Sequence, residues 1–252
     1  MNEERRIKLG KKEKNMSHKR RLLKRTVLSL FIILAAIPLT IWFGWKYGDR
    51  SYYITSLLII AYIMIPFFLV FEKRKPQARE LVILAVMCAI AVASRAAFIW
   101  LPHFKPMTAI IIITGIAFGA EAGFLTGAVS GFVSNFLFGQ GPWTPWQMFA
   151  FGIAGFLAGL LYQKGLLKKD RSPLCVFGGI LVMTVIGPLL DTCALFTMSS
   201  VITAQSAAAI YLSGIPVNAV HAAATVLTLF LFSRPLFEKL DRIQVKYGMM
   251  EA

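Results

Sequence analysis

The sequence predicts an all-α integral membrane protein, and three observations support that prediction. Hydrophobic residues make up 57% of the 252 residues, against about 45–50% in ordinary soluble domains. They occur in runs of about 18 or more, the length that crosses a hydrocarbon core of about 30 Å. Lys and Arg are concentrated in the gaps between these runs. We therefore expect eight membrane-spanning helices, two near the N-terminus followed by a bundle of six.

The net charge of +15 would suggest a nucleic-acid partner in a soluble protein. Here the basic side chains flank apolar runs, so we interpret them as a topology signal and as contacts to anionic lipid head groups. No basic-aromatic groove is visible, and we expect no nucleic-acid partner. Cys88, Cys175 and Cys193 lie within apolar runs and form no CxxC motif. We expect core cysteines, and neither a metal nor a cofactor.

The chain divides into four parts. Residues 1–25 hold eleven Lys and Arg and three Glu, and so predict a basic, solvated tail. Residues 26–72 hold two additional spans, at about 26–45 and 52–71. Residues 78–235 form the six-helix domain, and residues 236–252 are a second polar tail. The six predicted spans lie at about 80–101, 106–120, 121–138, 147–163, 174–198 and 212–232.

One long apolar run has to be divided. Residues 106–138 contain no charged side chain except Glu121, and as one helix they would be about 50 Å long. A turn at residues 119–123, "GAEAG", resolves this, because glycine tolerates the backbone conformations of a tight turn. With the turn, all Lys and Arg except Lys46, Arg50, Arg95 and Lys105 lie on one side of the membrane.

That distribution predicts the orientation. The side rich in Lys and Arg is expected to be cytoplasmic, with both termini there, in a multi-pass protein of the cell membrane. The connections at residues 101–106, 138–148 and 199–211 are then extracellular.

Five polar side chains lie within the predicted spans, where a charge at mid-helix costs about 2.5–3.5 kcal/mol on insertion scales. They are Arg95, Asn135, Asp191, Asn218 and His221. All five fall in the outer half of the membrane, which predicts a concave site open to the outside. Structural explanations stay open: Arg95 could reach the head groups or pair with Asp191, Asn135 could join helices, and His221 could be a core histidine.

Residues 138–148 read "FGQGPWTPWQM". Pro142 and Pro145 restrict the backbone, so we expect a stiff connection between two spans. Trp143 and Trp146 could stack on a flat ligand or anchor at the membrane interface. A stiff loop loses little entropy when it closes on a ligand, which favours a binding lid.

A stripe of small residues marks the first helix of the bundle. Ala85, Ala89 and Ala93 recur at i, i+4 and i+8, so they share one helical face on which another helix can pack closely. From the spacing alone, packing within the chain and packing against a partner stay equally open.

Residues 78–235 resemble the S components of energy-coupling factor (ECF) transporters, which are membrane subunits that capture vitamins. The resemblance rests on "AVMCAIAVASRAAF", "LPHFKP", "GFLTGAVSGFVSNFLFGQGPWTPWQM" and "GFLAGLL". The stretch ending in "GQGPWTPWQM" is similar to S components of the cobalamin type. The family implies six helices, with the vitamin bound beneath the first, third and fifth loops. It assigns no role to the two additional N-terminal spans.

The resemblance also implies partners. Ala85, Ala89 and Ala93 would contact a transmembrane coupling subunit. Two cytoplasmic ABC-type ATPases would supply the energy, because this sequence contains no P-loop. The expected cargo is cobalamin or a related corrinoid. The expected ligand contacts are Gln140, Trp143, Trp146 and Gln147 in the loop, Arg95, Asn135, Asp191 and Asn218 in the pocket floor, and His103 and Lys105 at the rim.

Two other functions stay open from the sequence. A membrane enzyme could use Asp191 with His221, but no second carboxylate, metal-ligand set or hydrolase motif accompanies the pair. A non-enzymatic scaffold or small channel would explain the hydrophobicity but not the outer polar layer. We therefore expect a transport subunit with no catalytic residues.

Overall fold

The computed structural model describes residues 57–58, 60–62, 64–65, 68, 78–199 and 201–247. The predicted tail 1–25, the predicted span 26–45 and much of the predicted span 52–71 lie outside these residues. Every regular element in the described part is helical. The all-α prediction is therefore confirmed.

Six helices follow one another between residues 78 and 247. They are α1 (Ala78–Ala97), α2 (Met107–Phe118), α3 (Ala120–Phe138), α4 (Trp143–Gln163), α5 (Arg171–Met198) and α6 (Ala204–Tyr247). Of these, α1, α4, α5 and α6 are long and apolar enough to cross a membrane.

Helix α2 is a buried core helix and is shorter than the predicted span 106–120. Its 12 residues rise only about 18 Å, well short of a hydrocarbon core of about 30 Å. All of its residues except Ala117 are buried, which fits a helix that is apolar on every side. It ends at Gly119, whose φ of 96° favours glycine, and α3 begins at the next residue. The predicted turn at 119–123 is thus confined to one residue.

Helices α3 and α4 pack backbone to backbone through glycines. A Cβ atom at Gly123 would lie 2.5 Å from the carbonyl oxygen of Gly155, so neither position has room for a side chain. Small residues allow such close approach between helices in membranes. Ala85, Ala89 and Ala93 differ, because all three are exposed on α1.

Helix α5 contains a π-helical segment at Val182–Ile186, where the N–H of Gly187 donates to the carbonyl of Val182. The sequence explains its position, since Pro188 lies two residues after the segment and has no N–H to donate to the preceding turn. The wider turn accommodates the proline ring and lets the helix continue for 28 residues.

Helix α6 is longer than the predicted span 212–232 at both ends. Its 44 residues would extend about 66 Å at 1.5 Å per residue. Residues that were expected in the tail 236–252 continue the helix as far as Tyr247. Phe237, Leu240 and Gln244 are buried, and the Gln244 amide donates to the carbonyl of Ala117 at 2.6 Å. This apolar face packs under the bundle, which explains why the helix does not stop.

Two connections are correspondingly short. The predicted extracellular stretch 199–211 is reduced to residues 199–203, because α6 begins at Ala204. The connection between α3 and α4 covers residues 139–142, because α4 begins at Trp143. Pro145 therefore lies in the first turn of a helix, where a missing N–H does no harm.

Candidate functional site

A cavity of about 200 Å³ lies at the end of the bundle where the connections α1–α2, α3–α4 and α5–α6 are found. We call this end of the bundle the site end. Six of the ten predicted ligand contacts line the cavity. They are His103, Lys105, Trp143, Gln147, Asp191 and Asn218. The structure therefore brings together side chains from the α1–α2 connection and from α4, α5 and α6.

A hydrogen bond between α5 and α6 forms one wall. The Asn218 amide donates to the Asp191 carboxylate at 2.8 Å. Glycines on the opposite helices make room for both side chains: a Cβ at Gly214 would lie 2.5 Å from either Asp191 oxygen, and a Cβ at Gly187 would lie 2.5 Å from the Asn218 amide. The two glycines, one on each helix, therefore allow this hydrogen-bonded pair to form.

His221 lies in the cavity wall and is only 2% exposed. Its Nε2 atom shares a hydrogen bond of 2.8 Å with the Thr108 hydroxyl of α2, and its ring packs edge-on against Phe151 at a centroid distance of 6.2 Å. The sequence had singled out His221 as an intramembrane polar residue without assigning it to the ligand. Thr108 was not identified from the sequence, because this residue reaches the cavity wall only through the position of α2 inside the bundle.

The rim of the cavity belongs to the α1–α2 connection. His103 is exposed and has a positive φ of 65°, a conformation that is uncommon for residues other than glycine. Lys105 is half-buried. Burial, and then the positive charge of nearby Arg95, lower the pKa of Lys105 to about 8.

Trp143 and Gln147 are one turn apart on α4 and both face the cavity. The Trp143 indole N–H donates to the Gly139 carbonyl at 3.3 Å, which orients the ring over the short connection. The Gln147 side-chain oxygen is buried and has no hydrogen-bond donor among the described residues. A buried acceptor without a partner is uncommon in folded proteins.

Arg95 and Asn135 do not line the cavity. The Arg95 guanidinium donates to the Ser134 hydroxyl at 2.5 Å and to the Asn135 amide oxygen at 3.1 Å, and it lies over the Phe138 ring at 4.2 Å. Arg95 and Asp191 are both described, and no ion pair joins them. The pairing left open by the sequence is thus absent, and Arg95 and Asn135 connect α1 to α3.

Gln140 and Trp146 also lie outside the cavity lining. The Gln140 amide donates to the Phe132 carbonyl at 3.1 Å and accepts from the Thr144 hydroxyl at 2.9 Å, so this side chain fixes the α3–α4 connection. Trp146 is 6% exposed and packs against Phe196. Of the two tryptophans only Trp143 lines the cavity, whereas Trp146, one turn further along α4, packs toward α5.

The comparison with known families follows this geometry. The family model of the S component of ECF-type riboflavin transporters matches residues 75–236. The chain belongs to this family. The match includes α1 to α5 and most of α6, and it covers the cavity. The resemblance to S components is therefore confirmed at family level, and the family is one of transporter subunits, not of enzymes.

One curated relative is a UPF0397 protein of Vibrio atlanticus (strain LGP32), which is 26% identical over 118 residues. The alignment covers 44% of this chain and 64% of that protein. This S component thus spans less than two thirds of the length of the curated relative it matches. No solved structure is significantly similar to it.

Proposed function

We propose that this S component is the substrate-capture subunit of an ATP-driven vitamin importer and that its cargo is a flat heteroaromatic vitamin, with riboflavin as the first candidate. The observation that carries the proposal is the cavity, which combines the aromatic side chain of Trp143 with the unpaired Gln147 oxygen and the charged groups of Lys105 and Asp191. Ligand sites of this kind use apolar area for affinity and a few polar groups for orientation.

The polar groups complement a flavin ring. Riboflavin presents an imide N–H between two carbonyl oxygens, and a chain of hydroxyl groups. The Gln147 oxygen and the Asp191 carboxylate can accept from N–H or O–H donors, and the Lys105 ammonium can donate to a carbonyl. Trp143 can stack on the conjugated rings, an arrangement favoured for aromatic pairs.

The size of the cavity also favours riboflavin over a corrinoid. At about 200 Å³, the cavity is smaller than the range of about 300–1,000 Å³ that is usual for ligand pockets. A corrinoid macrocycle with its amide side chains is far larger than the three fused rings of riboflavin. A corrinoid, which the "GQGPWTPWQM" stretch suggested, would require the connections at the site end to move apart. It remains the second ligand to test.

The proposed partners are a transmembrane coupling subunit and two cytoplasmic ABC-type ATPases. Ala85, Ala89 and Ala93 are all exposed on one face of α1, so among the described residues no helix covers this stripe and a partner helix can pack on it. We place the site end outside the cell. This orientation is supported by the basic residues 164–171 and 234–246, which lie at the opposite end of the bundle.

A vitamin panel tests the proposal. The full-length purified protein is titrated with riboflavin while the flavin fluorescence is followed, and with cobalamin, cobinamide, thiamine, biotin and folate while tryptophan fluorescence is followed. Strongly absorbing ligands require an inner-filter control. Saturable quenching of riboflavin at nanomolar concentration is the expected result. If a corrinoid binds saturably and riboflavin does not, the proposed cargo is a corrinoid and not riboflavin. No binding across the panel would contradict vitamin capture.

A further inference from the structure

A helical segment that precedes the family-matched residues packs on the bundle. The described residues between 57 and 68 are all helical, and we call them the 57–68 segment. Leu57, Ile60, Met64 and Phe68 are spaced at i, i+3, i+7 and i+11, so they lie on one face of a helix. All four are buried or half-buried, whereas Leu58 on another face is 39% exposed.

The middle of this face contacts the outer side of the cavity wall. Ile60 is 4% exposed and belongs to one apolar cluster with Trp146 of α4 and Cys193 of α5. Cys193 also lines the cavity, and Trp146 immediately precedes the cavity residue Gln147. Ile60 therefore lies directly behind the wall that α4 and α5 present to the ligand.

The same face is held on α3 a few residues further along. Met64 forms a second apolar cluster with Phe124 and Ala128. The Phe68 ring meets the Phe124 ring edge to face, with centroids 6.1 Å apart and an interplanar angle of 81°. These contacts fix the 57–68 segment along the bundle, so the position of Ile60 does not depend on one contact alone.

We propose that the 57–68 segment is a structural part of the vitamin site and that Ile60 is a positioning residue for it. Ile60 holds Trp146 and Cys193 in place, and through them it keeps Gln147 and the α5 residue Asp191 directed at the cavity. The family match begins at residue 75, so this wall is an addition to the part of the chain shared with the family. The inference rests on the proposed function for its effect on ligand affinity, but not for the placement of the segment.

The placement is tested first, in the full-length chain. Ile60→Cys is combined with Cys88→Ser and Cys175→Ser, which leaves Cys193 as the partner thiol, and dibromobimane is added because it fluoresces when it bridges two thiols. Bridging by Ile60→Cys and none by the control Leu58→Cys is the expected result. Equal bridging, or none in either protein, would overturn the placement.

The positioning role is tested without a ligand and then with one. In the Cys193-only background, Ile60→Ala should increase the rate of Cys193 alkylation by a small water-soluble maleimide about fivefold, a size typical of residues coupled through shared packing. The Ile60→Leu and Leu58→Ala variants should both keep the alkylation rate of the protein with the original residues at these positions. An unchanged rate in Ile60→Ala would overturn the positioning role.

The riboflavin titration gives the second measurement. Ile60→Ala should raise the Kd about fivefold, whereas Ile60→Leu and Leu58→Ala should bind like the original protein. Normal affinity in Ile60→Ala would overturn the link between Ile60 and the site, even with bridging observed. If the original protein binds no vitamin, the proposed function fails, and the bridging and alkylation results still decide the inference.

Discussion

Asp191 and Asn218 join α5 to α6 through a hydrogen bond of 2.8 Å at the wall of the cavity. Each side chain occupies the space left by a glycine on the opposite helix, Gly214 for Asp191 and Gly187 for Asn218. A polar pair held in this way has little freedom to reorient, because any added Cβ would displace it. The carboxylate is therefore presented to the cavity by packing as well as by hydrogen bonding.

Gly214→Ala should disrupt ligand binding through this pair. The new Cβ would lie 2.5 Å from both carboxylate oxygens of Asp191, so the side chain has to move away from Asn218. Loss of a hydrogen bond to a charged group predicts an affinity for riboflavin lower by about tenfold or more. The matched control is Gly179→Ala, whose Cβ would meet only the Val226 side chain at 3.2 Å. Equal Kd values for the two variants, measured by fluorescence titration, would contradict the prediction.

Arg95→Gln should affect stability more than binding. The guanidinium bonds to Ser134 and Asn135 and lies over Phe138, outside the cavity lining. Replacing it should lower the Tm by about 5 °C and change the Kd for riboflavin less than about threefold. Arg242→Gln, at an exposed position, controls for loss of an arginine. A normal Tm combined with lost binding would instead make Arg95 a ligand contact.

The charge of Lys105 should make stability depend on pH. The pKa of Lys105 is lowered to about 8 in the folded protein, whereas an unfolded lysine has a pKa of about 10.4. Between these values the unfolded chain binds the proton and the folded chain does not, so this residue makes stability rise with pH. The cost of keeping Lys105 charged in the folded protein is fully present below pH 8 and disappears above the pKa of the unfolded lysine.

This pH dependence is checked by thermal melts of the original protein and of Lys105→Gln between pH 7 and pH 10. Relative to Lys105→Gln, the original protein should gain stability as the pH rises above 8. A difference in Tm that stays constant over the range would show that the surroundings of Lys105 do not lower its pKa in the folded protein.

The sequence predicted those features that depend on local composition. The apolar runs located the helices, and the break near Gly119 followed from the excessive length of residues 106–138. Asp191 and Asn218 were identified because polar side chains inside a span are rare. Each of these arguments uses only the residue itself and its neighbours in the chain.

Features set by tertiary contacts were not predictable in this way. Which of Trp143 and Trp146 reaches the cavity depends on how α4 packs against α5. The prolines alone suggested a longer loop. Arg95 was compatible with several partners at the same depth, and only the packing of α1 on α3 selects Ser134 and Asn135. The extension of α6 to Tyr247 likewise depends on a surface formed by other helices.

Substitution of Trp143 tests the central claim, that the cavity at the site end binds the vitamin. Trp143 lines the cavity, whereas Trp100 is 89% exposed in the α1–α2 connection and does not line it. The two variants Trp143→Ala and Trp100→Ala are titrated with riboflavin beside the original protein. We predict that Trp143→Ala weakens binding at least about tenfold, the loss expected for a stacked aromatic contact with its buried area, while Trp100→Ala binds normally. Normal binding by Trp143→Ala would contradict the assignment of this cavity as the vitamin site.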